Sequence, residues 1–207
     1  MVVATIVVLG VSLSACSINH YVHEDYPQYL ANNTGTSKLP RSSEPCSYSV
    51  TSTTAQHRYE FRSAMVGYAN LWIVEFGKIL DQTVQSRDIQ EAFGRLEKQN
   101  DRNAETNSLL IFDLVNYTFN DFGAHVELKV TQKKSGVEQF DKTYRADGRT
   151  QGGKMFWGGV FAMKNAIQQS TKYALDDIFR RLIEDTNNTT KKANNGVQRI
   201  AETAGSR

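Results

Sequence analysis

The chain has 207 residues, 40% of them hydrophobic and 22% charged, with a formal net charge of +2. That length and balance suit one ordinary globular domain and leave little room for two. A nearly neutral chain gives no electrostatic reason for a nucleic-acid partner, and only two cysteines are present, Cys16 and Cys46.

An apolar run from Val2 to Ala15 opens the chain. At roughly a dozen residues it is too short to span a bilayer, which takes about twenty, and it ends in small residues as a secretory leader does. Val2–Leu9 taken alone also fits a buried β-branched strand. The run closes on Leu13-Ser14-Ala15-Cys16, which resembles the lipobox of bacterial lipoproteins. The resemblance implies cleavage before Cys16 and acylation of that cysteine, so that lipid chains hold the exported chain on a membrane. Ser17 follows where enterobacterial lipoproteins retained in the inner membrane carry Asp. By that likeness the protein belongs to a Gram-negative outer membrane and faces the periplasm.

Residues 16–45 carry Asn32-Asn33-Thr34-Gly35-Thr36, Pro40 and Pro45 with little periodicity, and predict an extended tether. Random-coil scaling gives it a reach of about 30 Å. Tyr21, Tyr26, Tyr29 and Leu30 are apolar enough for part of it to lie against a domain. The domain is expected at residues 46–185. Cys46, Tyr48 and Val50 alternate with polar neighbours, as do Tyr59 and Phe61, so both stretches predict half-buried strands. From Ala69 to Ser86, Leu71, Val74, Leu80 and Val84 predict a helix. Asp88 with Glu91 resembles a capping box opening another, with Ile89, Ala92, Phe93 and Leu96 inward.

Leu109–Phe119 is rich in strand formers, Asn120-Asp121-Phe122-Gly123 supplies turn chemistry, and Val126, Leu128 and Val130 alternate strictly. Ser135-Gly136 predicts a second turn before a strand with Val137, Phe140 and Tyr144. A sheet with one polar face needs cover on the other. Phe161–Glu184 provides it, with Met163, Ile167, Ala174, Ile178 and Leu182 on one stripe and Asp176, Asp177, Arg180 and Arg181 on the solvated face. Residues 186–207 are polar and predict a disordered or frayed tail. The expected fold is α+β: an antiparallel sheet of about four to five strands with two main helices packed on one face. The layout is similar to that of the ABC-transporter auxiliary lipoproteins and the lipopolysaccharide-assembly lipoprotein, which implies service as an auxiliary subunit of an envelope machine.

Before the last helix, two glycine pairs flank Lys154, Met155, Phe156 and Trp157. The glycine and lysine order does not fit a phosphate-binding loop, which wants Gly-Lys followed by Ser or Thr. Two readings remain: a connector whose aromatics fold back onto the core, or a presented aromatic knob for a partner. These four residues are the candidate contact site. His20, His23, Glu24 and Asp25 have metal-ligand types but sit in the expected tether, where a solvated polar stretch is the simpler account. Cys46 and His57 have the types of a thiol nucleophile and its base, without a third orienting group. Asp81, Asp113 and Glu127 are carboxylates that no pattern places together, and Asp113 interrupts an apolar strand, where burial would require a partner. The expectation is a non-enzymatic, lipid-anchored binding or assembly subunit of an envelope complex, with membrane lipid held through Cys16 and no cofactor or metal. The alternatives are a carrier or sensor of a lipid or envelope polymer with an apolar pocket, and then a hydrolase.

Overall fold

Alternating apolar residues become strands here, and apolar residues at three- and four-residue steps become helices. The computed structural model describes residues 17–99, 108–150 and 155–204, for residues 155–157 and 192–204 the backbone only. In chain order it contains β1 (Ile18–Tyr21), α1 (Tyr26–Asn32), β2 (Cys46–Val50), α2 (Ser52–Ala55), β3 (Arg58–Phe61), a short 3₁₀ turn (Ala64–Val66), β4 (Asn70–Glu75), α3 (Phe76–Val84), α4 (Arg87–Phe93), β5 (Leu96–Lys98), β6 (Ser108–Asn120), β7 (Gly123–Lys134), β8 (Val137–Arg149) and α5 (Met155–Ala204). A five-stranded sheet has the order β5-β2-β6-β7-β8, and a three-stranded sheet the order β1-β4-β3. The fold is α+β.

The β6–β7–β8 meander is the scaffold. Asp121 (φ 45) and Phe122 (φ 58) make the first two-residue turn, and Ser135 (φ 49) with Gly136 (φ 77) the second. Paired positive φ values match the right-handed twist of the strands on either side. On β6, Leu110, Phe112 and Leu114 point inward, but after a register shift at Val115 the inward residues become Tyr117 and Phe119. The extra residue of this bulge, Val115, is 54% exposed.

The inward stripe of α5 covers this face. Met163, Ile167, Ala174, Ile178 and Leu182 are all buried, as are Leu175 and Phe179. The Phe179 ring meets Phe112 edge-on with centroids 5.8 Å apart, and α3 shares the same face through Phe76, 5.4 Å from Tyr117. Fully burying one such aromatic contributes about 1.5–3 kcal/mol. The two main helices thus pack on one face of the sheet.

Several expectations are corrected. The sheet is mixed, because β2 pairs parallel with both β5 and β6. Residues 70–75 form a strand: Trp72, Ile73 and Val74 are all fully buried between β1 and β3, and a strand buried on both faces shows no alternation. The helix starts only at Phe76. The expected tether is folded in part, with β1 in parallel pairing with β4 and α1 inserting Tyr26 and Leu30 into the core. No Asp88–Glu91 capping box forms: Ser86 precedes α4 without a side-chain cap, and Glu91 instead pairs with Arg87 at 2.6 Å. Helix α5 does not stop before 186 but continues to Ala204, its only non-helical residue being Gly159 (φ 53). Asn187 belongs to the folded part, its Nδ2 donating to Arg41 O and its Oδ1 accepting from Ser43 N.

Candidate functional site

Cys16 and Lys154 lie outside the described residues. Met155, Phe156 and Trp157 occupy the first turn of α5, cut off from the rest of the helix by Gly159. A φ of 53 suits glycine and few other residues, so this turn is angled independently of the long helix behind it. Immediately after Cys16, Ser17 Oγ accepts from Arg62 Nη2 at 3.1 Å, and Ile18 N donates to Ala69 O at 2.9 Å. The folded domain therefore begins at most one residue after the expected acylation point.

A cleft of about 470 Å³ lies between α1, α3, α4 and α5, lined by Pro27, Leu30 and Ala31 on one side and Gln82, Ser86 and Lys172 on the other. At its floor Lys172 is 2% exposed. Its Nζ donates to Asp176 Oδ2 at 2.6 Å and to Ser37 Oγ at 2.5 Å, with Asp88 Oδ2 at 3.9 Å. Ser37 Oγ passes a hydrogen bond to Asp176 Oδ2 at 2.6 Å, and Asp88 Oδ1 accepts from Gly35 N at 2.8 Å. Burial raises the Asp176 carboxyl above its ordinary value of 3.8, opposed by the Lys172 charge and by hydrogen bonds from Lys172 and Ser37. Lys172 donates to Ser37 and Asp176 and faces Asp88, so the group acts as an ionic clasp joining the 35–37 loop, α4 and α5. Sequence reasoning missed it: Asp176 was expected on the solvated face with Asp177, which alone pairs with Arg181 (2.8 Å) and Arg180.

The other sequence candidates separate. Burial raises the Cys46 thiol to about 11, with Glu44 O as its contact at 3.7 Å. His57 sits edge-on to Phe76 and Tyr117, and burial lowers its pKa from 6.5. The two share no neighbour among their contacts, so they form no nucleophile–base pair. His20 stacks on Trp72 at 4.5 Å and bonds Asn70 at 2.8 Å, whereas His23 lies 3.0 Å from Glu75. Among the described residues no three His, Cys, Asp or Glu side chains gather as metal ligands. Asp81 pairs with Lys98, Glu127 with Arg145 at 2.8 Å, and Asp113 receives the Thr51 hydroxyl at 2.8 Å, the partner its position demanded.

The outer face of the meander is a ladder of cross-strand polar pairs: a His125–Asp147 hydrogen bond at 2.6 Å and the ion pairs Glu127–Arg145 and Lys129–Asp141, the latter at 2.9 Å. The open edge strand β8 carries the three partners on its side, and charged edges resist added strands. No helix among the described residues is long and apolar enough to cross a membrane.

No protein-family model matches the sequence, and no curated protein matches it. Among solved structures, the chain is similar to the Xanthomonas campestris protein XCC0632, of the family DUF330. The two are 12% identical with a TM-score of 0.48, over 76% of this chain and 92% of that one.

Proposed function

We propose that the protein is a lipid-anchored, non-catalytic binding or assembly subunit of an envelope complex, held by acyl chains on Cys16 at the outer membrane with its domain in the periplasm. The observation that carries this reading is Leu13-Ser14-Ala15-Cys16 standing directly before a residue already built into the fold. Anchoring confines the domain to two dimensions, which raises its effective concentration toward a membrane-bound partner so that modest contacts suffice. Lys154, Met155, Phe156 and Trp157 are the proposed partner contact, the last three on the first turn of α5 ahead of Gly159.

Mass spectrometry of the Cys16 peptide from native membranes tests the anchor: an acylated, leader-free peptide supports it, and an unmodified thiol overturns it. Crosslinking in cells from positions 155 to 158 tests the contact. The expected outcome is one reproducible envelope protein, lost with Trp157→Ala at unchanged melting temperature. A carrier or sensor of a small apolar ligand is the second reading, favoured by the cleft between α1 and α3, and a lipid that co-purifies with the domain and is lost on Leu30→Asp would establish it.

A further inference from the structure

One pole of the molecule gathers both the start of the described chain and most of its exposed apolar side chains. Parallel pairing sets Ile18 beside Asn70, and antiparallel pairing sets Phe61 beside Trp72, so β1 starts where β3 ends. Arg62 ties the two together, donating to Ser17 Oγ at 3.1 Å and to Tyr68 O at 2.5 Å. The 3₁₀ turn that follows β3 packs on α5. Phe61 also meets Phe119 at 5.2 Å, and Thr150 Oγ1 donates to Phe122 O at 3.0 Å, which brings the β6–β7 turn and the approach to α5 to the same end. Farther along α5, Lys164 pairs with Asp25 and Gln168 donates to Val22 O, so the helix passes the far end of β1.

Phe161 is 86% exposed, Tyr68 69%, Ile18 55% and Met65 52%. Single exposed apolar residues need no explanation, but several at one end mark a contact surface. Cys16 is the residue before Ser17, and adjacent Cα atoms are about 3.8 Å apart, so chains attached to it leave the protein beside Ile18. We propose that this pole is a bilayer seat. Ile18, Met65, Tyr68 and Phe161 enter the interfacial layer beside the acyl chains, and the domain stands on the membrane in one orientation. Tyrosine suits that depth because its ring is apolar and its hydroxyl wet. The β7–β8 turn at Ser135-Gly136 then points away from the lipid. The seat rests on the anchored reading of Cys16 and replaces the loose tether with a docked domain.

The test uses the full acylated chain in vesicles of phosphatidylethanolamine and phosphatidylglycerol, with and without doxyl-labelled lipid. Met65→Cys, Tyr68→Cys, Phe161→Cys and, as the distal control, Val137→Cys (63% exposed) each carry an NBD label, and the parent chain is the labelling blank. Labels at 65, 68 and 161 should shift to the blue and lose most of their emission to doxyl lipid, while the label at 137 does neither. Equal quenching at 137 and 68, or none at 65, 68 and 161, overturns the seat. Labels that stay wet in vesicles but are shielded in native membranes overturn it too, in favour of a protein occupant. A variant that melts below the parent is set aside, and the remaining positions decide. The Cys16 peptide mass from the same sample is read separately. Acylation with unquenched labels removes the seat alone, whereas quenched labels on an unmodified chain remove the anchor alone.

Discussion

Lys172 and Asp176 form an ion pair one helical turn apart, 2.6 Å between Nζ and Oδ2, at a point where 2% of the lysine side chain meets solvent. Removing one partner of a buried pair costs more than the pair contributes, because the other charge is left unpaired. Lys172→Met should therefore lower stability by about 3 kcal/mol in urea unfolding. Lysine's charge opposes the burial that raises the Asp176 carboxyl, so without it that carboxyl rises further. A carboxyl whose folded pKa exceeds its unfolded one favours the fold at low pH and loses that benefit as pH rises through the interval. The deficit of Lys172→Met should accordingly shrink toward about pH 4. A deficit that grows on acidification contradicts the clasp.

His57 gives a second pH signature. Burial beside Phe76 and Tyr117 holds its folded pKa below 6.5, so the unfolded chain takes the proton first. Its contribution is complete above 6.5 and is lost as pH falls through that value toward the folded one. His57→Phe should flatten the fall of stability between about pH 7 and pH 5. Some slope should remain from His23, which burial and then Lys78 also depress. Equal slopes in His57→Phe and the parent would assign the histidine to solvent.

Cys46 should be nearly inert in the folded chain. With the thiol raised to about 11 by burial, the thiolate that reacts with maleimide is scarce at neutral pH. Labelling followed by mass spectrometry should be slow in buffer and fast in urea. Rapid labelling of the native chain would show the strand opening around β2.

Gly148 marks a close approach of α5 to the sheet. A Cβ built there would stand 1.7 Å from Ser170 O and 3.0 Å from Ala174 N, both backbone atoms of a packed helix. Gly148→Ala should cost at least about 1–3 kcal/mol through forced separation of helix and strand, read as a lower melting temperature with loss of near-ultraviolet dichroism. Gly136→Ala, at a turn where nothing lies within 4 Å, should cost less and only through its φ of +77.

The meander was legible because β6, β7 and β8 each bury one face and wet the other, and because both turns spell out their positive φ values. The stripe from Met163 to Leu182 was legible for the same kind of reason. Residues 70–75 were not, since Leu-Trp-Ile-Val has no polar face to betray its period and its spacings also satisfy a helix. The 16–45 segment hid a usable clue: Val22, Tyr26 and Leu30 recur at steps of four and are all buried. What no local pattern could give is the clasp, because Ser37, Asp88 and Lys172 come from distant parts of the chain. At 154–157 the residue types fit a connector folded back onto the core as well as a presented aromatic knob, and no local pattern separates the two.

Strand β1 has a further consequence for how the molecule comes together. Its hydrogen-bonding neighbour is β4, and Val22 just beyond it accepts from Gln168, 146 residues farther on. A chain that emerges front end first can pair β1 once β4 is out, but the contact just beyond that strand waits for Gln168. The leading end is therefore held only in part until α5 arrives, and the fold closes last where it begins.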